Sequence, residues 1–535
     1  MPKFHLDGRE IEVAAGTTFL QAALDRGLDL PHYCYHPALS IPGNCRICLV
    51  EVEKAPKLLT SCSTEAAEGM VVRTDTERVR EARRGVMEFL LINHPLDCPI
   101  CDQAGECRLQ EYAILHGSGV SRFEEDKVPK RKRIEVGPHV LLDEERCILC
   151  TRCIRFCREI TGTDELDLFE RGDRTVIGTF PGRPLDNLYS GNVVDICPVG
   201  ALTSREFRFR SRVWFLRPTA SICAGCARGC NIWVDADREE IARLRPRRND
   251  AVNGHWICDV GRNGFEYVNR PDRLLCPLMR GEGALAAAAW KEAVDRAAEG
   301  LRDVKDRRGG DAIGWVVSGR LTNEEAFLVR RLAGEALGGG RFALAEHEEG
   351  EDDRLLLRRD RTPNRKGVTD LLFSGDGGPA GIEALAAGIR SGAVHALVVL
   401  KEDPLGADPG GGLDAGLLDR LDLLVVADIF LTPTAERSGV VFPAAAFVEE
   451  EGTYTNFQGR VQRARPARRS PGAGMPGWML LTLLGRALDA DFPYRRAEEV
   501  TRAIGAAVPA WADPIARLEA EDPVALRVVR GGRAA

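Results

Sequence analysis

All 17 cysteines of this chain lie between Cys34 and Cys276, and residues 277–535 contain none. No other feature restricts the fold and chemistry as strongly. At 535 residues the chain has length for several packed cores, so three or more domains are expected. Sulfur chemistry, however, is confined to the front half. The opening "MPKFHLDGREIEV" lacks the apolar core of a signal peptide and reads as a first strand. Without a secretion signal, clustered cysteines argue for metal ligation over disulfides.

Charge and hydropathy exclude several classes of function. The formal charge of -7 gives no general nucleic-acid footprint. The one basic run, "KVPKRKR" at 127–133, reads as a solvated linker. No apolar run approaches the ~18 residues needed to span a bilayer. A cytoplasmic protein with no direct membrane span is expected, able to dock peripherally on a membrane complex. The glycine-rich "SGDGGPAG" (374–381) lacks the strand–turn–helix context of a dinucleotide fingerprint and reads as loop. No spacing of Ser, His and acidic residues singles out a catalytic set.

Short alternating stretches in residues 1–80 ("KFHLDG", "REIEVAAG", "ICLVEVE", "MVVRTD") and the helical "TFLQAALDRG" predict a small mixed sheet with one helix packed across it. Residues 81–120 read as helical, broken by His94-Pro95 and a cysteine loop. A second cysteine-rich unit covers 138–212 and a third covers 217–280. From 281 to 535 alanine- and leucine-rich helices alternate with buried strands ("AIGWVV", "HALVVL", "LLVVAD"), an α/β pattern with a largely parallel sheet. The charged segment 346–366 reads as an exposed loop, and the tail "VVRGGRAA" as frayed.

The cysteines fall into four sets. Cys34, Cys45, Cys48 and Cys62 form the first, in a loop where Gly43 lets backbone wrap a buried group. In "NHPLDCPICDQAGEC" three thiols, Cys98, Cys101 and Cys107, follow His94. The third set is Cys147, Cys150 and Cys153 with the remote Cys-Pro at Cys197, a bacterial-ferredoxin spacing. A two-cluster version would place further cysteines at 187, 190 and 193. Asn187, Ser190 and Val193 stand there, so one cluster is expected and Cys157 is left as a buried free thiol. Cys223, Cys226, Cys230 and Cys258 make the fourth set, leaving Cys276 spare. Structural zinc is an alternative for each set on spacing alone.

These motifs carry a family resemblance. "HP…GNCRICLVEV" and the His94-x3-Cys98-x2-Cys101-x5-Cys107 pattern resemble the large iron–sulfur subunit family of respiratory complex I, the NADH-quinone oxidoreductase. The fourth set, with "WICDVGR", resembles the cluster domain of molybdopterin oxidoreductases. Stretches such as "SGRLTNEEAFLVRRLAGEALG", "VLKEDPLGADP" and "VVADIFLTPTAERSGVVFPAAAFVEEEGTYTNFQGRVQ" resemble the same enzymes' main fold. The resemblance implies a β-grasp [2Fe–2S] ferredoxin domain, a helical segment binding a [4Fe–4S] cluster through one histidine and three cysteines, and a ferredoxin-like [4Fe–4S] domain. A molybdopterin-oxidoreductase-type [4Fe–4S] domain and a shortened, degenerate α/β domain of that fold would follow. It implies one [2Fe–2S] and three [4Fe–4S] clusters on fifteen cysteines and His94, which accounts for every ligand those clusters require.

No molybdenum cofactor is expected, because "GGGRFALAEHEEGED" has no cysteine at the metal position and offers only Glu346 or His347. Electrons would come from an FMN flavoprotein subunit that oxidises NADH. They would pass through the first, third and second sets to a ferredoxin-like two-cluster subunit among the other peripheral-arm subunits, on the cytoplasmic side of the inner membrane. The fourth set would be auxiliary. A cluster subunit of a soluble NAD-linked formate dehydrogenase or hydrogenase is the alternative redox reading, and a zinc-stabilised scaffold the non-redox one.

Overall fold

The computed structural model describes residues 1–373, 378–406 and 412–522. Its mixed α and β elements form two compact units, Met1–Leu216 and Arg217–Ala535.

In the first unit a turn at Asp7-Gly8, both at positive φ, breaks the expected first strand. The result is a hairpin, Lys3–Leu6 antiparallel to Arg9–Glu12. Lys3–Leu6 pairs in parallel with Val71–Arg73, and Leu49–Val52 and Leu59–Thr60 complete a five-stranded sheet. The helix Phe19–Leu24 starts at a capping box between Thr18 and Gln21 and buries Phe19 and Leu20 in the same core as Phe4, Leu6 and Val50. The helix Glu77–Leu91, capped by Thr76, and the helix Arg108–His116 flank the His94 segment. A three-stranded sheet of Ile134–Glu135, Val140–Leu142 and Leu202–Ser204 backs the next cysteine loops.

The run 127–133 is not a free linker. Lys127 Nζ donates to the carbonyls of Leu91 (2.9 Å) and Ile92 (2.6 Å) where the long helix ends, a natural place for a cation. Lys130 Nζ binds the carbonyl of Thr175 at 2.7 Å, Arg131 pairs with Glu144 at 2.7 Å, and Lys132 pairs with Glu145 at 2.8 Å. The run is largely exposed, as expected, while specific partners for these cations tie it down as a strap.

In the second unit, an antiparallel sheet of Arg217–Ile222, Asn231–Asp237 and Glu240–Pro246 presents its first hairpin loop to the fourth cysteine set. Behind it lies a seven-stranded sheet ordered Leu285–Ala287, Leu278–Arg280, Val440–Pro443, Leu423–Asp428, Ala396–Leu400, Ile313–Ser318, Arg341–Ala345. The last five are mutually parallel, and helices such as Trp290–Arg308 and Gly477–Ala487 bury apolar faces against them. Such strands are buried on both faces and therefore read as continuous apolar runs rather than alternating ones.

Segment 346–366 corrects the sequence reading. It forms a loop, but His347, Leu356, Leu357, Thr362 and Asn364 are buried. Its charges are paired at short range, Arg358 with Asp352 at 2.8 Å and Arg359 with Glu348 at 2.7 Å. Pairing lets a charged stretch pack where periodicity alone predicts exposure. The tail 528–535 and residues 374–377 of the glycine-rich stretch lie outside the described residues.

At the carboxyl end of the central strands, Lys401 Nζ sits between Glu450 (2.6 Å) and Glu325 (2.9 Å), both acids almost wholly buried. Burial alone would lower the Lys401 pKa, but the two carboxylates outweigh it and hold the amine above its ordinary range. Lys401→Met would leave two buried acids facing each other. It is expected to destabilise this unit by about 3–5 kcal/mol, read as a lowered denaturation midpoint in tryptophan fluorescence. Six of the seven tryptophans lie in the second unit. An unchanged midpoint would contradict the buried-network view.

Candidate metal centres

The first set lines the edge of the five-stranded sheet. Cys34, Cys48 and Cys62 are buried to 1% exposure or less, and Cys45 is half-buried. Gly43 takes φ of +63°, as a loop wrapping a buried group requires. The four sulfurs crowd one another: Cys45 and Cys62 hold Cys34 below the ordinary thiol range, Cys62 holds Cys48 below it, and Cys45 and Cys62 are themselves pushed up. Sulfurs crowded in this way cannot all ionise against each other unless a cationic group sits among them.

The second set is carried by the loop between the helices Glu77–Leu91 and Arg108–His116. Cys101 and Cys107 are buried, and Cys98 is half-buried. Burial pushes Cys107 up to about 12. His94 goes the other way: burial lowers it to about 4, so the ring is neutral at physiological pH. Its Nδ1 is buried and has no hydrogen-bond partner. An orphaned nitrogen on a neutral buried imidazole suits a metal ligand, because a buried polar atom left unpaired is otherwise costly.

The third set closes around one cavity. Cys147, Cys150, Cys153 and Cys197 all line it, together with Leu142, Ile148, Ile177, Val199, Ala201 and Leu202. Burial raises all four thiols, Cys150 to about 11. Leu149 donates its backbone N–H to Cys147 Sγ at 3.4 Å, and the Val199, Leu202 and Ala201 backbone counteracts the burial that raises Cys197. Asn187, where a second cluster would need sulfur, instead uses its side chain to hold Glu165 and the Tyr189 backbone. Cys157 is fully buried and unbridged.

Flanking residues join these three sets. Arg146, beside Cys147, makes a two-pronged ion pair with Asp97, beside Cys98, at 2.6 and 3.2 Å. The Arg108 N–H, after Cys107, donates to the carbonyl of Pro198, after Cys197, at 3.1 Å. A Cβ on Gly200 would lie 2.3 Å from Cys101 Sγ, so only glycine lets the third loop pass the second set. On the other side, Asn44 Nδ2 donates to the carbonyl of Leu149 at 3.3 Å, linking first and third sets. Sequence reading missed Gly200 and these bridging charges. The arginines in "RCILCTRCIRFC" and the "CPVG" glycine were the available signals.

The fourth set, in the second unit, is uniformly buried: Cys223, Cys226, Cys230 and Cys258 are 3–4% exposed. Gly225 donates to Cys223 Sγ at 3.4 Å and Gly261 to Cys258 Sγ at 3.3 Å. A Cβ on Gly261 would approach Cys223 Sγ to 2.7 Å, which explains the glycine of "WICDVGR". Burial raises Cys226, opposed by the backbone at Arg228 and Arg358.

Five family models match in succession. They are a 2Fe-2S iron-sulfur cluster binding domain (2–77), the NADH-ubiquinone oxidoreductase-G iron-sulfur binding region (83–122) and the ferredoxin-like domain of NADH-quinone oxidoreductase subunit 3 (137–203). The molybdopterin oxidoreductase Fe4S4 domain (216–270) and molybdopterin oxidoreductase itself (273–350 and 376–487) follow. The G subunit of NADH-quinone oxidoreductase from Rickettsia felis is 42% identical over 348 residues, 65% of this chain and 51% of the relative. Its counterpart from Streptomyces coelicolor is 45% identical over 62% and 39% of the two chains. The chain is a homologue of these G subunits.

The mitochondrial NADH dehydrogenase [ubiquinone] iron-sulfur protein 1 of Solanum tuberosum is 44% identical over 60% of this chain and 43% of that protein. The chain spans about half the length of the curated relatives it matches. A solved NAD+-reducing [NiFe]-hydrogenase chain is 32% identical, with a TM-score of 0.37, over 40% of this chain and 91% of that one.

The third donor set, with a backbone N–H aimed at Cys147 Sγ and apolar walls, fits an iron–sulfur cluster, and the other sets offer mostly buried thiols. The molybdopterin-type fold of the second unit does not extend that fit to molybdenum. At the carboxyl ends of its parallel strands, where ligands bind in such sheets, Glu402 holds His347 Nε2 at 2.9 Å and Arg320 at 3.5 Å. Burial pushes Asp428 beside them up to about 7. Glu346 is exposed and paired with Arg365. Among the described residues this crevice offers no soft thiolate ligand.

His94→Cys should keep a cluster in the second set at a lowered potential, because a thiolate adds negative charge, whereas Cys98→Ala should lose it. Redox titration followed by low-temperature EPR reads both. A potential unchanged in His94→Ala would remove His94 from the ligand set.

Proposed function

We propose that this chain is an iron–sulfur electron carrier of NADH-quinone oxidoreductase, with ligands as read from the sequence. Cys34, Cys45, Cys48 and Cys62 hold a [2Fe–2S] cluster. His94, Cys98, Cys101 and Cys107 hold a [4Fe–4S] cluster, as do Cys147, Cys150, Cys153 and Cys197, and Cys223, Cys226, Cys230 and Cys258. The clusters supply one-electron chemistry when bound. Everything else is the work of the polypeptide, which spaces, shields and tunes them.

The observation that carries this reading is the linkage of the three sets within the first unit. Asn44 ties the first loop to the third. Arg146, Gly200 and the Arg108–Pro198 hydrogen bond tie the third to the second. A zinc scaffold needs no such succession, whereas electron transfer needs redox groups held rigidly at short separations. Apolar walls such as Leu142, Ile177 and Val199 keep water from the third set, and backbone N–H donors lower the cost of concentrating negative charge on sulfur.

In this reading, single electrons arrive from an NADH-oxidising FMN flavoprotein subunit. They leave for a ferredoxin-like two-cluster subunit, within the peripheral arm of a membrane complex on the cytoplasmic side. Among the described residues no helix is long and apolar enough to cross a membrane. In this reading, attachment to the membrane complex runs through partner subunits. The fourth set, in the second unit, is auxiliary.

Mixed anaerobically with the flavoprotein subunit, the chain should lose its brown visible absorbance when NADH is added. Bleaching by dithionite but not by NADH would overturn the assignment to this electron path. A colourless chain carrying zinc would overturn the iron reading altogether.

A further inference from the structure

Two arginines of the short helix Arg152–Phe156 stand between the first and third cysteine sets. Arg155 is 7% exposed. Its Nη2 donates to the carbonyl of Cys34 at 2.5 Å and to that of Cys150 at 3.4 Å. Its Nη1 donates to the carbonyl of Ser40, and its Nε to Thr151 Oγ1 at 3.4 Å. One guanidinium nitrogen therefore serves a ligand of each set. Arg152 makes a parallel bridge, from the carbonyl of Ile196, beside Cys197, at 3.1 Å to that of Tyr35, beside Cys34. Its Nε is buried with no partner.

The charge of these groups is as informative as their geometry. Among the described residues neither guanidinium forms an ion pair with a carboxylate. The groups whose negative charge would favour Arg155 most are Cys150 and Cys34, ahead of Glu159. For Arg152 they are Cys150, Cys197 and Cys34. A buried cation without a carboxylate is expensive, and arginine does not escape by losing its proton. The counter-charge at hand is the sulfur of two ligand sets.

We propose that Arg155, supported by Arg152, is a positioning residue shared by the first and third centres, fixing the distance between their ligand loops and setting one buried positive charge against both. The proposal rests on the iron–sulfur reading above. A nearby cation favours the reduced, more negative form of a cluster and so raises its potential. Because one charge faces two centres, it lifts both together. The difference between them changes less than either value.

The test is an EPR-monitored redox titration of the full chain, purified anaerobically, as wild type, Arg155→Gln, Arg155→Lys and Arg152→Gln. Arg155→Gln should lower the potentials of the [2Fe–2S] centre and of the Cys147-set centre, leaving the His94-set centre closest to its wild-type value. Arg155→Lys, which keeps the charge but not the forked donor, should recover most of both shifts. The proposal is overturned if both potentials stay in place, if only one moves, or if lysine restores neither. If Arg155→Gln cannot hold its clusters, Arg152→Gln is read on the same scale. The same paired downward shift then supports the proposal, and no shift overturns it. A wild-type chain without these two centres would instead sink the iron–sulfur reading itself, a failure distinct from unchanged potentials in a loaded chain.

Discussion

Crowded, buried sulfur is the constraint on which the first unit depends. Cys34, Cys45, Cys48 and Cys62 are crowded so closely that a charge on one sulfur opposes a charge on the next, holding Cys34 and Cys48 down and pushing Cys45 and Cys62 up. The third set raises all its thiols in an apolar cavity. Arrangements of this kind are costly as bare polypeptide and favourable once a cationic group joins the sulfurs, so metal binding and folding are coupled. The loops point the same way: their N–H groups are aimed inward at sulfur, and glycines stand where a side chain would touch it.

Around that constraint the two units divide the work. In the first, ion pairs and backbone hydrogen bonds lie beside ligand positions, so that fixing one set fixes its neighbour. In the second, one buried set sits at the end of an antiparallel hairpin, while the parallel sheet behind it closes its own crevice with Lys401, Glu325, Glu450, His347 and Glu402. A fold shared with molybdopterin oxidoreductases here satisfies that crevice with side chains. The loop of residues 346–366 packs in the same unit, and its Arg358 backbone counteracts the burial that raises Cys226.

What could be read from the sequence follows from how local each signal is. Ligand spacing is set by a few residues of loop, so candidate sets can be proposed from cysteine positions, with His94 added by the family resemblance, and apolar runs such as "LLVVAD" announce buried parallel strands. The order of domain types followed from the family resemblance and is matched by the succession of family models. Contacts between sets are tertiary: nothing in the spacing of "TRCIRF" says that Arg155 reaches the carbonyl of Cys34, 121 residues earlier, or that Gly200 passes Cys101. Charge-rich stretches were legible only in part. The run 127–133 is largely exposed, as its composition suggests, though its cations have specific partners, whereas 346–366 packs because its charges pair within the segment itself.

Thiols and one imidazole are proposed to bind inorganic iron in four places. Mössbauer spectroscopy of iron-57-enriched chain, isolated without oxygen, counts the centres and distinguishes their types directly. One [2Fe–2S] and three [4Fe–4S] components per chain are expected. A spectrum accounting for fewer than three centres, or iron bound without bridging sulfide, would contradict it.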